Sequence, residues 1–448
     1  MISKIISVIV IALIASGAWF VYSDYRFERT YPTIVAPSSM YYNGKKPLLV
    51  AISYNTGLKS YEVVIQNGTN NPLITKKDIL VPTKKKILSL GIPASLKGTK
   101  NLIMTISATD ISMWNFYRGN KTTQNFNLTI DSDAPTVELL SNSYSITQGG
   151  SALVVFKVSE KNTKDIYVET PYFKFKATPY RKAGYYASLV AWPFSEDKFN
   201  AKIVAIDKAM NSTTIDAPFY IKNKKYATSY IQATKQFIDG KIATLASKDS
   251  RLATISDKLE KFAGVNEGIR AENEHLISTL GSIVSANIIN DWKILPFYPL
   301  KNGAKVASYG DLRHYYYDAK TKAVISTSDH VGIDLASNEA APIISSNDGK
   351  IVYSNDNGLY GNMPMINHGL GLYTLYGHCS KIVKHKGDTV KAGDVVANSG
   401  TSGLALGDHL HFGILVQGNE VAPEEWMDSN WIKLNIDDVF AKANMLIK

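Results

Sequence analysis

Seven of the eight histidines in this 448-residue sequence lie in its last third, and five of them lie with an aspartate in or beside three short segments. Imidazole and carboxylate groups are the side chains that bind zinc and that take up or deliver protons during hydrolysis. The residues are His330, Asp334, His368, His378, His409 and His411. A lone histidine is a weak indication of function. Three short segments that each carry such groups, close together in the chain, are a strong indication of function.

The first segment is DHVGIDLA (329–336), in which apolar residues alternate with His330, Gly332 and Asp334. The spacing of His330 and Asp334 fits one face of a helix or one face of a strand. The alternation favours the strand, because it directs the polar pair to one side and leaves Gly332 as free space between them. This geometry can hold one metal ion.

The other two segments add imidazoles. In HLHFGIL (409–415) a period of two places His409 and His411 on one face of a strand and turns Leu410 and Phe412 toward the core. In LYTLYGHC (372–379) a strand-like run delivers His378.

These segments resemble the lysostaphin-type zinc endopeptidases, a family that cleaves the peptides of bacterial peptidoglycan. The family pattern is H-x-x-x-D, then a histidine ending a Y-x-H strand, then H-x-H. It is matched by His330 with Asp334, by Tyr376-Gly377-His378 and by His409-Leu410-His411. DGKIV (348–352), YGNMPMINHGLGLYTLYGH (360–378) and KGDTVKAGDVVANSGTSG (386–403) match the family in register as well. The resemblance covers roughly residues 300 to 425 and is highly specific.

The resemblance implies a small antiparallel β-rich domain with a groove across one sheet. It also implies one Zn²⁺ held by His330, Asp334 and His411, with the fourth position open for water. His378 and His409 are then unligated catalytic imidazoles, and His409 is favoured as the base. Arg313, in YGDLRHYY (309–316), is expected either to bind a substrate carboxylate or to form a structural salt bridge. Tyr376 is expected to contact the substrate.

The N-terminus indicates export. An apolar run from Ile5 to Tyr22 has about the ~20 residues that cross a bilayer as a helix. We therefore expect residues 1–24 to be a single-pass membrane anchor, with the catalytic domain in the periplasm or outside the cell. A cleaved signal peptide is the rival interpretation. The lone Cys379 excludes an intrachain disulfide.

Between the anchor and the histidine-rich region, short β-branched runs predict β structure. A weak repeat relates ISATDISMWN (106–115) to IVAIDKAMN (203–211) and divides this region into two modules. We expect immunoglobulin-like β modules over 30–131 and 132–222, most simply as spacers.

Residues 223–291 space their apolar side chains as helices do, and Gly264 and Gly268 interrupt the pattern. This predicts a helical hairpin, which could carry a protein partner or gate the active site. The metallopeptidase domain is expected over 292–426 and a C-terminal tail over 427–448.

The sequence thus predicts a multidomain, mainly β, membrane-anchored zinc endopeptidase that hydrolyses peptide bonds in peptidoglycan stem peptides or cross-links. The alternative is a non-catalytic wall-binding scaffold or an activator of another cell-wall hydrolase. The complete set of five groups favours the enzyme. The partners expected are peptidoglycan, the membrane, and possible proteins on the hairpin or the β modules. No nucleic-acid partner is expected, because the net charge of +10 is spread along the whole chain.

Overall fold

The computed structural model describes residues 2–45, 47–66, 72–91 and 101–447. They form two compact units, of which the first comprises Met1–Ala134 with Ile206–Ser212 and the second Pro135–Ala205 with Thr213–Lys448. The described structure is mainly β, as the sequence predicts.

An apolar helix, Ile2–Ser23, begins the first unit, and none of its residues is buried. It is the one helix among the described residues that is long and apolar enough to cross a membrane. Signal sequences meet the same criteria, so the helix is compatible with both an anchor and a signal.

The β part of the first unit is one connected six-stranded sheet. Its strands are β1 (Thr33–Val35), β2 (Ser39–Tyr42), β3 (Leu48–Gln66), β4 (Pro72–Leu90), β5 (Asn101–Asp110) and β6 (Lys121–Ile130). The order is β1-β3-β5-β6-β2, with β4 also paired to β3. Alternate residues of β5, such as Leu102, Met104 and Ile106, fill the core. Residues 46, 67–71 and 92–100 of the module predicted over 30–131 lie outside the described residues.

Two similar hydrogen-bonded Asp–Asn pairs in this unit correspond to the weak sequence repeat. The Asp110 carboxylate accepts hydrogen bonds from the backbone and side-chain nitrogens of Asn120, at 2.9 and 2.8 Å. The Asp207 carboxylate accepts the same pair from Asn211, both at 2.8 Å. The structural counterpart of Asn211 is therefore Asn120 and not Asn115, because the turn after Asp110 is longer.

The second unit begins with strands that form two four-stranded sheets and a two-stranded one. They are β7 (Thr136–Asn142), β8 (Ser145–Thr147), β9 (Ser151–Ser159), β10 (Thr163–Glu169), β11 (Lys174–Lys176), β12 (Thr178–Pro179), β13 (Tyr185–Ala191), β14 (Ala201–Asp207), β15 (Ser212–Ala217) and β16 (Tyr220–Lys222). This region packs directly on the C-terminal part of the chain. Trp426 Nε1 donates to Ser151 Oγ at 2.9 Å, and the rings of Tyr180 and Phe440 lie 4.8 Å apart. It is therefore not a free spacer.

Helices follow, after strand β17 (Thr228–Gln232). Their bounds are Lys235–Phe237, Ile238–Ile242, Ala243–Ser247, Ser250–Ala253, Lys258–Ala263, Gly264–Ile269 and Arg270–Gly281. The break between the two helical stretches lies at residues 254–257, where the Asp257 carboxylate caps the second stretch by accepting from the backbone N–H groups of Leu259 and Glu260.

The predicted break at Gly264 and Gly268 is wrong. Both glycines lie inside the second helical stretch. A Cβ on Gly264 would lie 2.6 Å from the Leu252 side chain, so this glycine allows the two stretches to pack closely and does not form a turn.

The remaining strands build the histidine-rich domain. They are β18 (Ala304–Ala307), β19 (Asp311–Tyr316), β20 (Val324–His330), β21 (Ile333–Ala336), β22 (Pro342–Ile344), β23 (Gly349–Asp356), β24 (Asn362–Asn367), β25 (Leu372–Gly377), β26 (Lys381–Ile382), β27 (Thr389–Val390), β28 (Val395–Asn398), β29 (Leu410–Val416) and β30 (Asn419–Val421). The central sheet has the order β18-β21-β29-β25-β24-β23-β27, with β30 paired to β29. In addition, β17 pairs with β19, and β19 with β20.

Residues 427–448 are not a loose tail. The helices Ser429–Ile432, Lys433–Asp437 and Asp438–Leu446 follow Pro423–Met427. Ile432, Ile436, Val439 and Phe440 are buried. Their spacing of three and four residues is that of one helical face, and this signal in the sequence predicts a packed helix.

Candidate active site

Three neighbouring strands of the central sheet position the predicted site residues. Strand β29 lies between β21 and β25, and its residue His411 is in register with Asp334 on one side and with Gly377 on the other. His378 directly follows β25, and His409 directly precedes β29. His330 ends β20. All five groups thus lie in one area, although the predicted strand over 329–336 is interrupted between His330 and Ile333 and His409 lies just outside β29.

His330, Asp334 and His411 converge on one point. The distances are 3.0 Å between His330 Nε2 and Asp334 Oδ1, 3.0 Å between His411 Nδ1 and Asp334 Oδ1, and 3.1 Å between the two ring nitrogens. All three residues are buried. Two imidazoles and a carboxylate arranged in this way could hold a metal ion, and the set fits the nitrogen and oxygen ligands of a hydrolytic zinc site.

The hydrogen bond of His330 on the far side of its ring supports metal binding. Its Nδ1 lies 2.8 Å from the carbonyl oxygen of Ser308, and because a carbonyl only accepts, Nδ1 carries the proton. In the neutral ring, Nε2 then presents a lone pair to the Asp334 carboxylate. Two acceptors in contact repel each other unless a cation or a proton lies between them, so the pair is suited to a cation.

Space around the three groups depends on Gly332. A Cβ on this residue would lie 2.6 Å from His411 Nε2 and 2.7 Å from the carbonyl oxygen of Phe412. Glycine is therefore required for the close approach of the β20–β21 connection to the His411 ring.

His378 and His409 lie side by side, with ring centroids 4.8 Å apart. His378 Nδ1 lies 2.9 Å from the carbonyl oxygen of Ser402, and His409 Nδ1 lies 2.8 Å from that of Gly407. Each ring therefore donates from Nδ1 and, when neutral, keeps a lone pair on Nε2. Burial, together with the neighbouring His411 and His409, lowers the pKa of His378 to about 3. His378 is consequently a weak base at neutral pH.

The five groups border a cavity of about 410 Å³. The same cavity is also bordered by Ile231, Gln232, Thr234, Phe237 and Arg270. We call the first set of lining residues the histidine wall (His330, Asp334, His378, His409 and His411) and the second the helical wall (Ile231, Gln232, Thr234, Phe237 and Arg270). The helical wall belongs to the region for which a gate is predicted.

Of the two predicted substrate contacts, one is corrected. Tyr376 is fully buried and does not border the cavity, and its hydroxyl accepts a hydrogen bond from Thr374 Oγ1 at 3.0 Å. Regular alternation would place Tyr376 on the same face as His378, but His378 lies beyond the end of β25 with a φ of 64°, so the chain turns before its imidazole reaches the cavity. Its role is therefore in the core.

Arg313 does border the cavity. Its Nη2 lies 3.6 Å from Asp334 Oδ2, and its Nε lies 3.4 Å from Asp311 Oδ2. Arg313 thus lies where the salt-bridge alternative predicts, and one of its two partners, Asp334, is a predicted metal ligand.

Sequence reasoning missed several residues at this site. Ser308 contributes only a backbone carbonyl, and Arg270 lies in no motif. Tyr360, whose ring packs edge-on against His411 with centroids 5.2 Å apart, lies at the start of a segment that matches the family in register. That segment is the one signal that could have identified Tyr360.

The sequence model of peptidase family M23 matches residues 328–423. Among curated proteins, the DD-carboxypeptidase/endopeptidase Mpg of Neisseria meningitidis serogroup B is 38% identical over 94 residues, which is 21% of this chain and 22% of that protein. The peptidoglycan DD-endopeptidase ShyA of Vibrio cholerae is 33% identical over 124 residues, 28% of each chain. The chain thus spans about a quarter of the length of these relatives.

Among solved structures, the catalytic domain of lysostaphin from Staphylococcus simulans is 28% identical to this chain. The match covers 29% of this chain and 94% of that domain, with a TM-score of 0.24. The family resemblance predicted from the histidine motifs is confirmed by the match to the family model and by the curated relatives. The C-terminal part of the chain carries a domain of peptidase family M23, the metallopeptidase family whose relatives include peptidoglycan DD-endopeptidases.

Proposed function

We propose that this protein is a membrane-anchored zinc endopeptidase that hydrolyses amide bonds in peptidoglycan stem peptides or cross-links, of the D-alanyl to diaminoacyl type. The observation that carries the proposal is the convergence of His330 Nε2, Asp334 Oδ1 and His411 Nδ1 within 3.1 Å of one another, beside two imidazoles that border the same cavity. The DD-endopeptidases among the relatives support the substrate class.

His330, Asp334 and His411 would hold the zinc ion. When bound, Zn²⁺ supplies a Lewis acid at the scissile carbonyl and lowers the pKa of a water molecule to ~7. Arg313 holds Asp334 by its second carboxylate oxygen, so that the first is directed at the two imidazoles.

His409 is the general base in this proposal. Its Nδ1–H is engaged with Gly407, so Nε2, which lies 3.7 Å from Asp334 Oδ1, keeps a lone pair that can take the proton of the attacking water and deliver it to the leaving amine. His378 has the same arrangement with Ser402 and a low pKa. It therefore serves as a neutral acceptor that orients the water, and it becomes a donor to the oxyanion only when it carries a proton.

The remaining predictions on architecture are part of this proposal. We infer that helix Ile2–Ser23 is an uncleaved anchor, that the regions 30–131 and 132–222 are immunoglobulin-like modules, and that the helices within 223–291 form a hairpin. The catalytic domain, from about residue 292, then lies in the periplasm or outside the cell.

Digestion of purified peptidoglycan by the zinc-loaded protein, with products identified by mass spectrometry, tests the function. Wild type is expected to release shortened cross-linked peptides, and His411→Ala to release none. His385→Ala is a matched control, because His385 is exposed and does not border the cavity. Absence of products from wild type with one zinc bound per chain would favour the scaffold alternative.

A further inference from the structure

We propose that Arg270 is a specificity-determining residue that binds a free carboxylate of the substrate next to the scissile amide. The inference deepens the proposed function and rests on it. Its ligand class is a peptide amide in which the carbon attached to the scissile nitrogen also bears an ionised carboxylate, as in amides formed on an amino group of a diamino diacid.

Arg270 is positioned by hydrogen bonds to the backbone and the buried side chain of Asn266, which we call the Asn266 bracket. Its Nε donates to the backbone oxygen of Asn266 at 2.9 Å, and its Nη2 donates to Asn266 Oδ1 at 3.0 Å. Asn266 is fully buried, and its Nδ2 donates to Ser326 Oγ at 2.8 Å and to the Thr327 oxygen at 3.1 Å. Ser326 and Thr327 belong to β20, the strand that ends at His330. The bracket thus fixes Arg270 relative to a predicted metal ligand.

The guanidinium group keeps unused donors on the cavity side. Arginine has five N–H groups, and the Asn266 bracket engages two of them. The nearest carboxylate, Glu274 Oε1, lies 3.8 Å from Nη1, which is an ion pair but too long for a hydrogen bond. The remaining N–H groups form the planar fork that matches a carboxylate. The side chain is 18% exposed and borders the cavity, so a ligand there can reach it.

Arg270 suits this role better than Arg313, the other arginine that borders the cavity. The charge of Arg313 is offset by two carboxylates, Asp311 and Asp334, whereas the one ion pair of Arg270 among the described residues is with Glu274 at 3.8 Å. Arg270 and the histidine wall border the same cavity. A peptide bound there can therefore present its amide to the histidines and its carboxylate to Arg270.

Two acidic side chains offset part of the positive charge of Arg270. Glu274 pairs with Arg270 at 3.8 Å, and Asp329 borders the cavity within electrostatic reach of it. Glu274 competes with a substrate carboxylate for the guanidinium, so its removal strengthens substrate binding. The Glu274→Gln variant therefore gives an effect opposite in sign to Arg270→Gln.

The experiment uses the full-length, zinc-loaded protein and two synthetic cross-linked peptides that differ only in the carboxylate beside the scissile amide, which is free in one and amidated in the other. KM and kcat are measured by chromatography of the products. Wild type is expected to have an about tenfold lower KM for the free carboxylate. Arg270→Gln is expected to raise the KM for that peptide by about the same factor, with kcat little changed, and to leave the amidated peptide unaffected. Glu274→Gln should lower the KM for the free carboxylate.

Arg251→Gln is the matched control, since Arg251 lies on the same helical region but pairs with Asp249 and Glu272 at the surface. Equal KM values of wild type for the two peptides would overturn the inference, and so would an equal rise of KM for both peptides in Arg270→Gln. If that variant does not fold, the wild-type comparison and Arg270→Lys decide. Failure of wild type to cut either peptide would refute the proposed function itself.

Discussion

The two walls of the cavity differ in how the chain builds them. The histidine wall comes from strands whose residues lie opposite one another in register, with His411 between Asp334 and Gly377. The helical wall is held by side chains from distant elements. Phe262 packs on Tyr315, with ring centroids 5.4 Å apart, and Asn273 Oδ1 accepts from the Leu359 backbone at 2.9 Å. The candidate catalytic groups are thus positioned by backbone pairing, and the helical wall by side-chain packing.

This difference explains what the sequence could predict. A strand alternates its side chains with a period of two, so H-L-H predicts that both imidazoles face one side. The H-x-x-x-D pair spans the end of β20 and the start of β21, and its short spacing keeps the two groups close. The five groups of the histidine wall are therefore identifiable from the sequence. Y-x-H predicts that Tyr376 and His378 share a face, which is wrong because β25 ends at Gly377 and His378 has a φ of 64°.

The helical wall carries no comparable signal. That Arg270 borders the cavity depends on Asn266 meeting Ser326 and Thr327, which lie about sixty residues away along the chain. No local period encodes such a contact. The low helix propensity of glycine predicts a helix break at Gly264, but this residue allows a close approach to Leu252, which depends on tertiary packing. Helix existence was predictable here, and helix placement was not.

The largest effect is expected at the histidine wall, from Gly332→Ala. The added Cβ would meet His411 Nε2 and the Phe412 carbonyl at 2.6 and 2.7 Å, so the backbone or the His411 ring must move. We expect zinc affinity to fall and activity to fall by roughly a hundredfold or more, since a displaced ligand loses both metal and geometry. Metal content and peptidoglycan digestion measure the two effects.

Gly407→Ala is the matched control, because Gly407 borders the same cavity and a Cβ there meets nothing within 4 Å. Full zinc content and activity in Gly332→Ala would show that the histidine wall tolerates backbone shifts. Backbone pairing would then not be what sets the geometry of its metal ligands.

Phe262→Ala tests whether the helical wall is a fixed part of the site or a gate. Phe262 is fully buried against Phe237 and Tyr315, and its truncation is expected to cost roughly 3–5 kcal/mol of stability. Phe262 lies in one buried cluster with Met363, Met365 and Leu375, and Phe237 packs against that cluster, which indicates that the helical wall is fixed. In that case the loss of the Phe262 ring lowers activity several-fold. If the wall is a gate, loosening it raises activity. Phe126→Ala, a buried phenylalanine in the first unit, controls for a general loss of stability.

Asn266→Ala is expected to weaken the positioning of Arg270, because Asn266 connects Arg270 to strand β20. Without its side-chain oxygen, Arg270 loses one hydrogen bond that holds its guanidinium, while the bond from Nε to the backbone oxygen remains. KM for peptides with a free carboxylate should rise by about threefold, less than in Arg270→Gln, with kcat unchanged. Asn273→Ala is the control for a general loosening of the helical wall, because it removes the hydrogen bond to the Leu359 backbone and leaves the Asn266 bracket in place. A fall in kcat alone would show that the bracket serves the histidine wall and not Arg270.

The smallest effect on activity is expected from His368, a histidine of the same domain that belongs to neither wall. Its Nδ1 bonds to the Asp348 carbonyl and its Nε2 to Thr374 Oγ1, both at 2.8 Å, and burial lowers its pKa to about 4. Between pH 6.5 and 4 the unfolded chain binds a proton at this residue that the folded chain does not. The stability that neutral His368 contributes is therefore present above pH 6.5 and is lost as the pH falls toward 4. The melting temperature of wild type should thus decline faster over this window than that of His368→Gln, whereas a variant of the exposed His385 should follow wild type. Parallel curves for wild type and His368→Gln would mean that the buried imidazole does not set this acid sensitivity, and that the pH dependence arises at the two walls.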